Sequence, residues 1–246
     1  MITNPHHLNH PYSEPIQYCL IGGGKVAKHM VHYFTLENIP FKQWTRQSDM
    51  DLHDALMNCT HALLLMTDHA IEPFIKDNES LLKGKTCVHF SGCLNTPYAY
   101  GAHPMQTLVD RLEPHAFYHE IPFVIDEAGP DFQVLLPGLP NQSFKISQDE
   151  KAYYHALCVM ANHFTTVLWH KFFTEMERRY HIPKASCSPM LTQTLKNIAH
   201  DHKQCFTGPL QRGDQKTIRA NLKALEKDDF AMVYEAFVKT MHQGEE

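Results

Sequence analysis

The sequence predicts an α/β half followed by an all-helical half, and three observations carry that expectation. Up to Ile146, short apolar runs alternate with amphipathic stretches, the pattern of parallel strands covered on both faces by helices. A glycine triplet, Gly22-Gly23-Gly24, stands at the first junction between a strand-like and a helix-like segment. From Lys151 to Arg179 there is no Pro or Gly, and the strand signal fades.

Taken in order, residues 1–15 are Pro-rich, carry His6, His7 and His10, and show no apolar periodicity, so they read as a flexible lead-in. Ile16–Ile21 is a strand that ends at the glycines. Val26, Met30 and Tyr33/Phe34 then recur at helical spacing until Asn38 and Pro40 stop the helix. Phe41–Trp44, His61–Thr67 and Thr86–Phe90 are the next strands, separated by helical segments around Leu52–Leu56 and Ile71–Ile75. Ile121–Ile125 and Phe144–Ile146 are later strands. The stretch 151–179 predicts one helix of roughly 43 Å at 1.5 Å per residue. Ser188-Pro189 is expected to open the next helix, Asp214 a third, and Asp228 or Asp229 a fourth. The expected division is a lead-in over 1–15, a dinucleotide-binding domain over 16–148 and a helical substrate and dimerisation domain over 149–246.

Composition excludes several classes of function. The 246 residues carry a net charge of −5 with 20% charged and 43% hydrophobic residues, enough for a sizeable core. A general nucleic-acid binder needs a basic excess, which is lacking, so no nucleic-acid partner is expected. The longest apolar runs, such as Ala62–Met66, fall far short of a membrane span, and no signal peptide is visible. A cytoplasmic protein is expected. Seven cysteines without a Cys-x-x-Cys pair read as reduced thiols, four of them in apolar runs. Protonating all 19 histidines would move the charge from −5 to +14, yet they are scattered. No metal site is expected, for want of a His-x-x-x-His pair on one helix with an acid nearby.

The glycine triplet continues as Gly22-Gly23-Gly24-Lys25-Val26-Ala27, a G-x-G-x-x-A pattern. Gly22 permits the tight turn, Gly24 removes a side chain that would block a diphosphate, and Ala27 lets the helix pack on the strand. The helix N-terminus adds free N–H groups. The fold expected is therefore a Rossmann-type doubly wound sheet. At the end of the second strand, Thr45-Arg46-Gln47-Ser48 offers a guanidinium and hydroxyls where an NAD site has an acid, which favours NADP. Thr67 closes the third strand and borders the same site; the adjoining Asp68 reads foremost as a helix cap.

Candidates for the chemistry lie further on. His103, held before Pro104 in a loop, either donates a proton to a reduced substrate or is simply hydrogen-bonded to backbone. Ser91 would orient the substrate oxygen. His155 and Asn162 are seven residues apart on the long helix and share a face, His155 leaning to an interface role and Asn162 to substrate contact. Arg212, in the loop Thr207–Asp214, either pins an anionic substrate or pairs with a carboxylate.

The run Tyr154-His155-Ala156 through Asn162, with Thr207-Gly208-Pro209 and Arg212-Gly213-Asp214, resembles the helical C-terminal domain of an uncharacterised bacterial family that pairs it with a Rossmann-like domain. Ser91-Gly92 and Gly101–Met105 fit the same family. Its wider relatives are similar to pyrroline-5-carboxylate reductase, ketopantoate reductase and prephenate dehydrogenase. The resemblance implies NADP binding and a helical domain, like that at the C-terminus of 6-phosphogluconate dehydrogenase, that forms a homodimer. The prephenate dehydrogenases use a His in a His-Pro-Met-like segment and an assisting Ser, roles that His103 and Ser91 would take. Hydroxyacid dehydrogenase relatives carry a catalytic Lys at the start of the long helix, where this chain has Tyr154-His155.

The expectation is an NADP-dependent oxidoreductase acting on a small carbonyl, imine or hydroxy acid between the domains. Gly22, Gly23, Gly24, Lys25, Val26, Ala27, Thr45, Arg46 and Thr67 would hold the cofactor, and His103, Ser91, Asn162, His155 and Arg212 would face the substrate. The alternative is a non-catalytic NADP-binding sensor or interaction protein.

Overall fold

The first strand sets the plan of the α/β half, because its four residues are all buried and alternate between two cores. Tyr18 and Leu20 face one apolar cluster with Phe34, Leu63 and Phe123, while Cys19 and Ile21 face another with Leu56, Leu64 and Ile71. A strand buried on both faces must carry helices on both, which is what the alternation of elements supplies. The computed structural model describes residues 17–243, so the expected lead-in, with His6, His7 and His10, lies outside the described residues.

The elements run β1 (Tyr18–Ile21), α1 (Lys25–Leu36), β2 (Phe41–Trp44), α2 (Leu52–Leu56), β3 (His61–Leu64), α3 (Asp68–Asp77), α4 (Glu79–Leu82) and β4 (Thr86–His89). They continue with β5 (Tyr100–Pro104), α5 (His115–His119), β6 (Phe123–Asp126), α6 (Phe132–Leu135) and β7 (Ser143–Ile146). The strands form one seven-stranded sheet in the order β2-β1-β3-β4-β5-β6-β7, parallel except for β5 against β6. Ile21, Trp44, Leu64 and His89 lie in one row across β1–β4. The chain leaves β1 toward β2 on one side and returns to β3 on the other, a topological switch at the carboxyl ends of the strands. This is a Rossmann-like α/β fold followed by a helical region.

Each helix is placed by its apolar face. α1 buries Ala27, Met30, Tyr33 and Phe34. Complete burial of each large side chain contributes about 1.5–3 kcal/mol. α3 buries Ile71 and Ile75 on the opposite face of the sheet.

β5 corrects one expectation. The segment Gly101–Met105, read as a loop, is largely strand, with His89 opposite Gly101 and Val124 opposite His103. The residues that disguise it fall near its ends, Gly101 beside the Asp126 carboxylate and Pro104 at the last position, where a missing N–H is tolerated.

After β7 the chain is helical: α7 (Lys151–Val159), a π-turn (Met160–Phe164), α8 (Thr165–Tyr180), α9 (Lys184–His200), α10 (Gln215–Ala224) and α11 (Ala231–Gln243). The helix expected over 151–179 is present as a continuous helical run to Tyr180, with a π-turn inside it. A π-turn bonds i to i+5 and lowers the rotation per residue, so the phase of the helix shifts within Met160–Phe164, the segment that holds Asn162. The chain divides into two compact units between Thr165 and Thr166.

Within the second unit, α9 opens at Pro183 rather than at Ser188-Pro189. Pro183 already has the extended geometry of a cap, leaving Pro189 inside the helix, where it forfeits one backbone bond. Asp214 caps α10 as expected, accepting the Thr217 amide at 3.0 Å. Asp228 accepts the Phe230 amide just before α11 and the Lys171 ammonium at 2.8 Å. Among the described residues of this unit only Cys187 and Ile218 are buried.

Two further findings bear on the earlier expectations. No helix among the described residues is long and apolar enough to cross a membrane. The expectation of no metal site is overturned in its premise: His115 and His119 are a His-x-x-x-His pair on α5, and Glu37 lies beside them.

Candidate functional site

A cavity of about 880 Å³ opens at the switch point, lined by the segments that follow β1, β2, β3 and β4. Its floor is the glycine elbow. Gly22 has φ +144°, its N–H donates to the Trp44 carbonyl at 2.9 Å, and a Cβ there would lie 2.1 Å from the Leu65 carbonyl oxygen. Only glycine fits. A Cβ on Gly24 would meet nothing within 4 Å, so the space its absence leaves belongs to the cavity. Gly24 is also the N-cap of α1, and no side chain caps it, which leaves the first-turn amides of Lys25, Val26 and Ala27 open to an anion. Gly23 is exposed, Val26 half-buried and Ala27 buried against the sheet. Lys25 reaches Asp110 at 3.8 Å on the outer surface.

The second wall follows β2. Thr45 donates its amide to the Ser48 hydroxyl at 2.9 Å and accepts the Gln47 amide at 3.2 Å, a tight turn that projects Arg46. Arg46 is exposed, lines the cavity and pairs with no carboxylate among the described residues. Thr67 lines the third side and is the N-cap of α3.

Asp68 corrects a second expectation. Thr67 takes the cap position, and Asp68, in the first turn, accepts the Ser91 hydroxyl at 2.6 Å. The Ser91 oxygen accepts the amides of Cys93 and Leu94, so its proton is committed to Asp68.

Next to Ser91 stands a group of histidines. His103 Nδ1 is 2.8 Å from the Tyr154 hydroxyl, and its ring meets His155 edge-on at 5.8 Å. Gly92 makes this possible, since a Cβ there would lie 2.5 Å from the His155 ring and 3.1 Å from that of His103. His89 is fully buried; its Nδ1 accepts the Ser91 amide at 3.3 Å and its Nε2 has no partner among the described residues. Burial, then His155 and the Lys151 ammonium, hold His103 down at about 4. Burial, then Lys151, does the same to His89, also at about 4. Both imidazoles are neutral at neutral pH. Burial and the neighbouring Cys158 push the Tyr154 hydroxyl above its usual range.

A lysine does stand at the start of the helix, contrary to expectation. Lys151 is buried and its Nζ lies 2.8 Å from Asp126, while Gly101 donates its amide to the same carboxylate at 2.7 Å. Of the expected substrate residues, Ser91, His103 and His155 come together. Asn162 is exposed within the π-turn. Arg212 belongs to the second unit, where it is exposed beside Asp214. The residues that sequence reasoning missed are His89, Lys151 and Asp126, together with the Asp68–Ser91 contact. Only Lys151, first in an uninterrupted helical stretch, carried a visible signal.

Comparison with known proteins finds the same fold elsewhere. Residues 125–241 match the family model described as "Domain of unknown function (DUF2520)". No curated protein matches the sequence. Among solved structures, a Bacteroides fragilis protein provisionally described as an NADP oxidoreductase superposes with a TM-score of 0.73 at 18% identity, covering 93% of this chain and 98% of that one. An imine reductase from Myxococcus stipitatus in complex with NADP+ gives 0.65 at 12% identity, with 92% and 93% covered. Pyrroline carboxylate reductase from Plasmodium falciparum with NADP bound gives 0.55 at 12% identity, with 93% and 96% covered. At these identities the likeness establishes the shared fold.

Proposed function

We propose that this chain is an NADP-dependent oxidoreductase acting on a small imine, carbonyl or hydroxy acid. The observation that carries the proposal is the cavity itself: a glycine elbow whose missing Cβ leaves room for a diphosphate, open helix amides beneath it, and Arg46 at the rim without an acid. These residues fit NADP. Gly22, Gly24 and the first turn of α1 would take the diphosphate, Thr45 and Arg46 the 2′-phosphate, and Thr67 would border the path toward Ser91. Similar folds solved as NADP complexes, among them an imine reductase, support the same class.

When bound, NADP would supply hydride exchange with the substrate carbon. The chain's own residues manage the proton. His103 is neutral, so it offers either a ring lone pair to a substrate hydroxyl or an N–H to a developing oxyanion, with Tyr154 hydrogen-bonded to its Nδ1. Negative charge appearing beside the ring raises its pKa, which favours taking the proton of a substrate hydroxyl in the oxidising direction; in the reducing direction the neutral ring hydrogen-bonds the developing oxyanion or amine and the proton comes from solvent. Asp68 aligns Ser91, and Gly92 keeps His155 packed against His103.

A second reading, a sensor that binds NADP without turnover, draws on Lys151, whose ammonium is held by Asp126 rather than left free. Exposed Met190, Leu195, Ile198, Met232 and Phe237 support the further proposal that the second unit pairs with a second copy, which sedimentation would test. The deciding experiment titrates NADPH and NADH by fluorescence, then follows NADPH oxidation with cyclic imines, 2-oxo acids and aldehydes. Tighter NADPH binding with turnover in one class is expected. Binding without turnover favours the sensor, and no binding of either nucleotide ends both readings.

A further inference from the structure

The seam between α1 and α5 holds an arrangement that the cavity chemistry does not use. His115 and His119 lie one turn apart on α5, and both Nε2 atoms converge on Oε1 of Glu37, the C-cap residue of α1, that of His115 at 2.6 Å. The Glu37 side chain is 16% exposed, whereas the imidazoles are 46% and 41% exposed, so the cluster opens to solvent on one side. The two rings meet at 4.2 Å between centroids. Behind them the frame is tied down. Tyr118 is buried between the two histidines in sequence, stacks on Tyr33 of α1 at 5.1 Å, and has its hydroxyl 2.8 Å from His29 Nδ1.

We infer that Glu37, His115 and His119 form a binding site for a zinc-class divalent cation, with solvent completing the coordination sphere. Two imidazoles and a carboxylate are a donor set that zinc takes, with three protein ligands and an open position. The three ligand atoms lie within 4.8 Å of one another. Ligand atoms around a tetrahedral zinc are about 3.3 Å apart, so small side-chain rotations open the present contacts to admit the ion. In the metal-free form a Nε2 that donates to Glu37 carries its ring proton on the nitrogen that would ligate. Binding requires that proton to shift to Nδ1 or leave, and the carboxylate oxygen exchanges two N–H contacts for one metal bond. The ion would clamp the end of α1 to α5. This site stands apart from the cavity, so it does not depend on the proposed oxidoreductase activity.

His6, His7 and His10 are competing ligands in the same chain, so the test uses the full-length protein with those three changed to Ala. Cobalt(II) is titrated and followed by its visible absorption, then displaced with zinc. The expected result is a break at one equivalent, bleached by zinc, with a rise in Tm on zinc addition. His119→Ala and Glu37→Gln should each lose the break while keeping the parent's circular dichroism, metal-free Tm and NADPH affinity. The inference is overturned if the parent shows no saturable uptake at one equivalent, or if the break survives in both His115→Ala and His119→Ala.

Discussion

Lys151 and Asp126 form an ion pair sealed from solvent, with Nζ 2.8 Å from Oδ1 and side chains 6% and 7% exposed. The pair joins the first residue of α7 to the end of β6, and through the Gly101 amide to β5. Removing one partner leaves the other charge buried, so Lys151→Met should cost about 3–5 kcal/mol. The double variant Lys151→Met/Asp126→Asn keeps an acceptor for Gly101 without a lone charge and should recover much of that loss. Urea denaturation of the four proteins measures the coupling. Simple additivity of the two single losses would contradict the account.

Gly22 and Gly24 should respond differently to the same methyl group. Gly22→Ala meets backbone at 2.1 Å in a left-handed conformation and should prevent stable folding. Gly24→Ala meets nothing in the protein, so stability should fall by no more than about 1 kcal/mol, the loss of a tolerable cap. Its NADPH affinity should nevertheless drop, because the methyl occupies the diphosphate's space. Calorimetry showing unchanged affinity for Gly24→Ala would remove the elbow from the binding site.

Arg46 should decide the choice of nucleotide. Arg46→Ala should weaken NADPH binding by about 1.5–3 kcal/mol, the range for a charge-assisted contact, and leave NADH nearly unchanged. Parallel fluorescence titrations of the two nucleotides check it, and a preserved preference counts against the assignment.

Acid should loosen the α/β half through two histidines. His89 and His103 titrate at about 4 in the folded protein against an ordinary value of 6.5. Between those values the unfolded chain binds more protons, so this contribution is complete above pH 6.5 and is lost as pH falls toward 4. Each residue adds a slope of up to about 1.4 kcal/mol per pH unit. Burial drives this direction for His103, followed by His155 and Lys151, while Asp68 opposes it and His89 adds a little. Denaturant midpoints across the window should fall with pH, and less steeply in His103→Asn.

Tyr154→Phe removes the hydroxyl that hydrogen-bonds His103 Nδ1 and should lower kcat about 10²-fold or more. A folding cost of about 1–3 kcal/mol should accompany it, from the nitrogen left unsatisfied. A variant with full turnover would take Tyr154 out of the proton path.

What was legible in the sequence was whatever repeats or punctuates. The glycine elbow, the alternating cores of β1 and the Asp214 cap all announce themselves locally. β5 did not, because Gly101 and Pro104 weaken the strand pattern, and its support comes from β4 and β6 on either side. Lys151–Asp126, Asp68–Ser91 and the Glu37 cluster join residues 23 to 82 positions apart, and no local pattern encodes such pairings. The π-turn that holds Asn162 was illegible for a different reason: it changes the helical phase without leaving a signature in residue type.

Gly92 sets a tolerance on everything beside it. A single hydrogen is all that separates its backbone from two imidazole rings, so the distance from the sheet to α7 is gauged by the smallest side chain available. Any enlargement at this position must push His155, and α7 with it, away from the sheet.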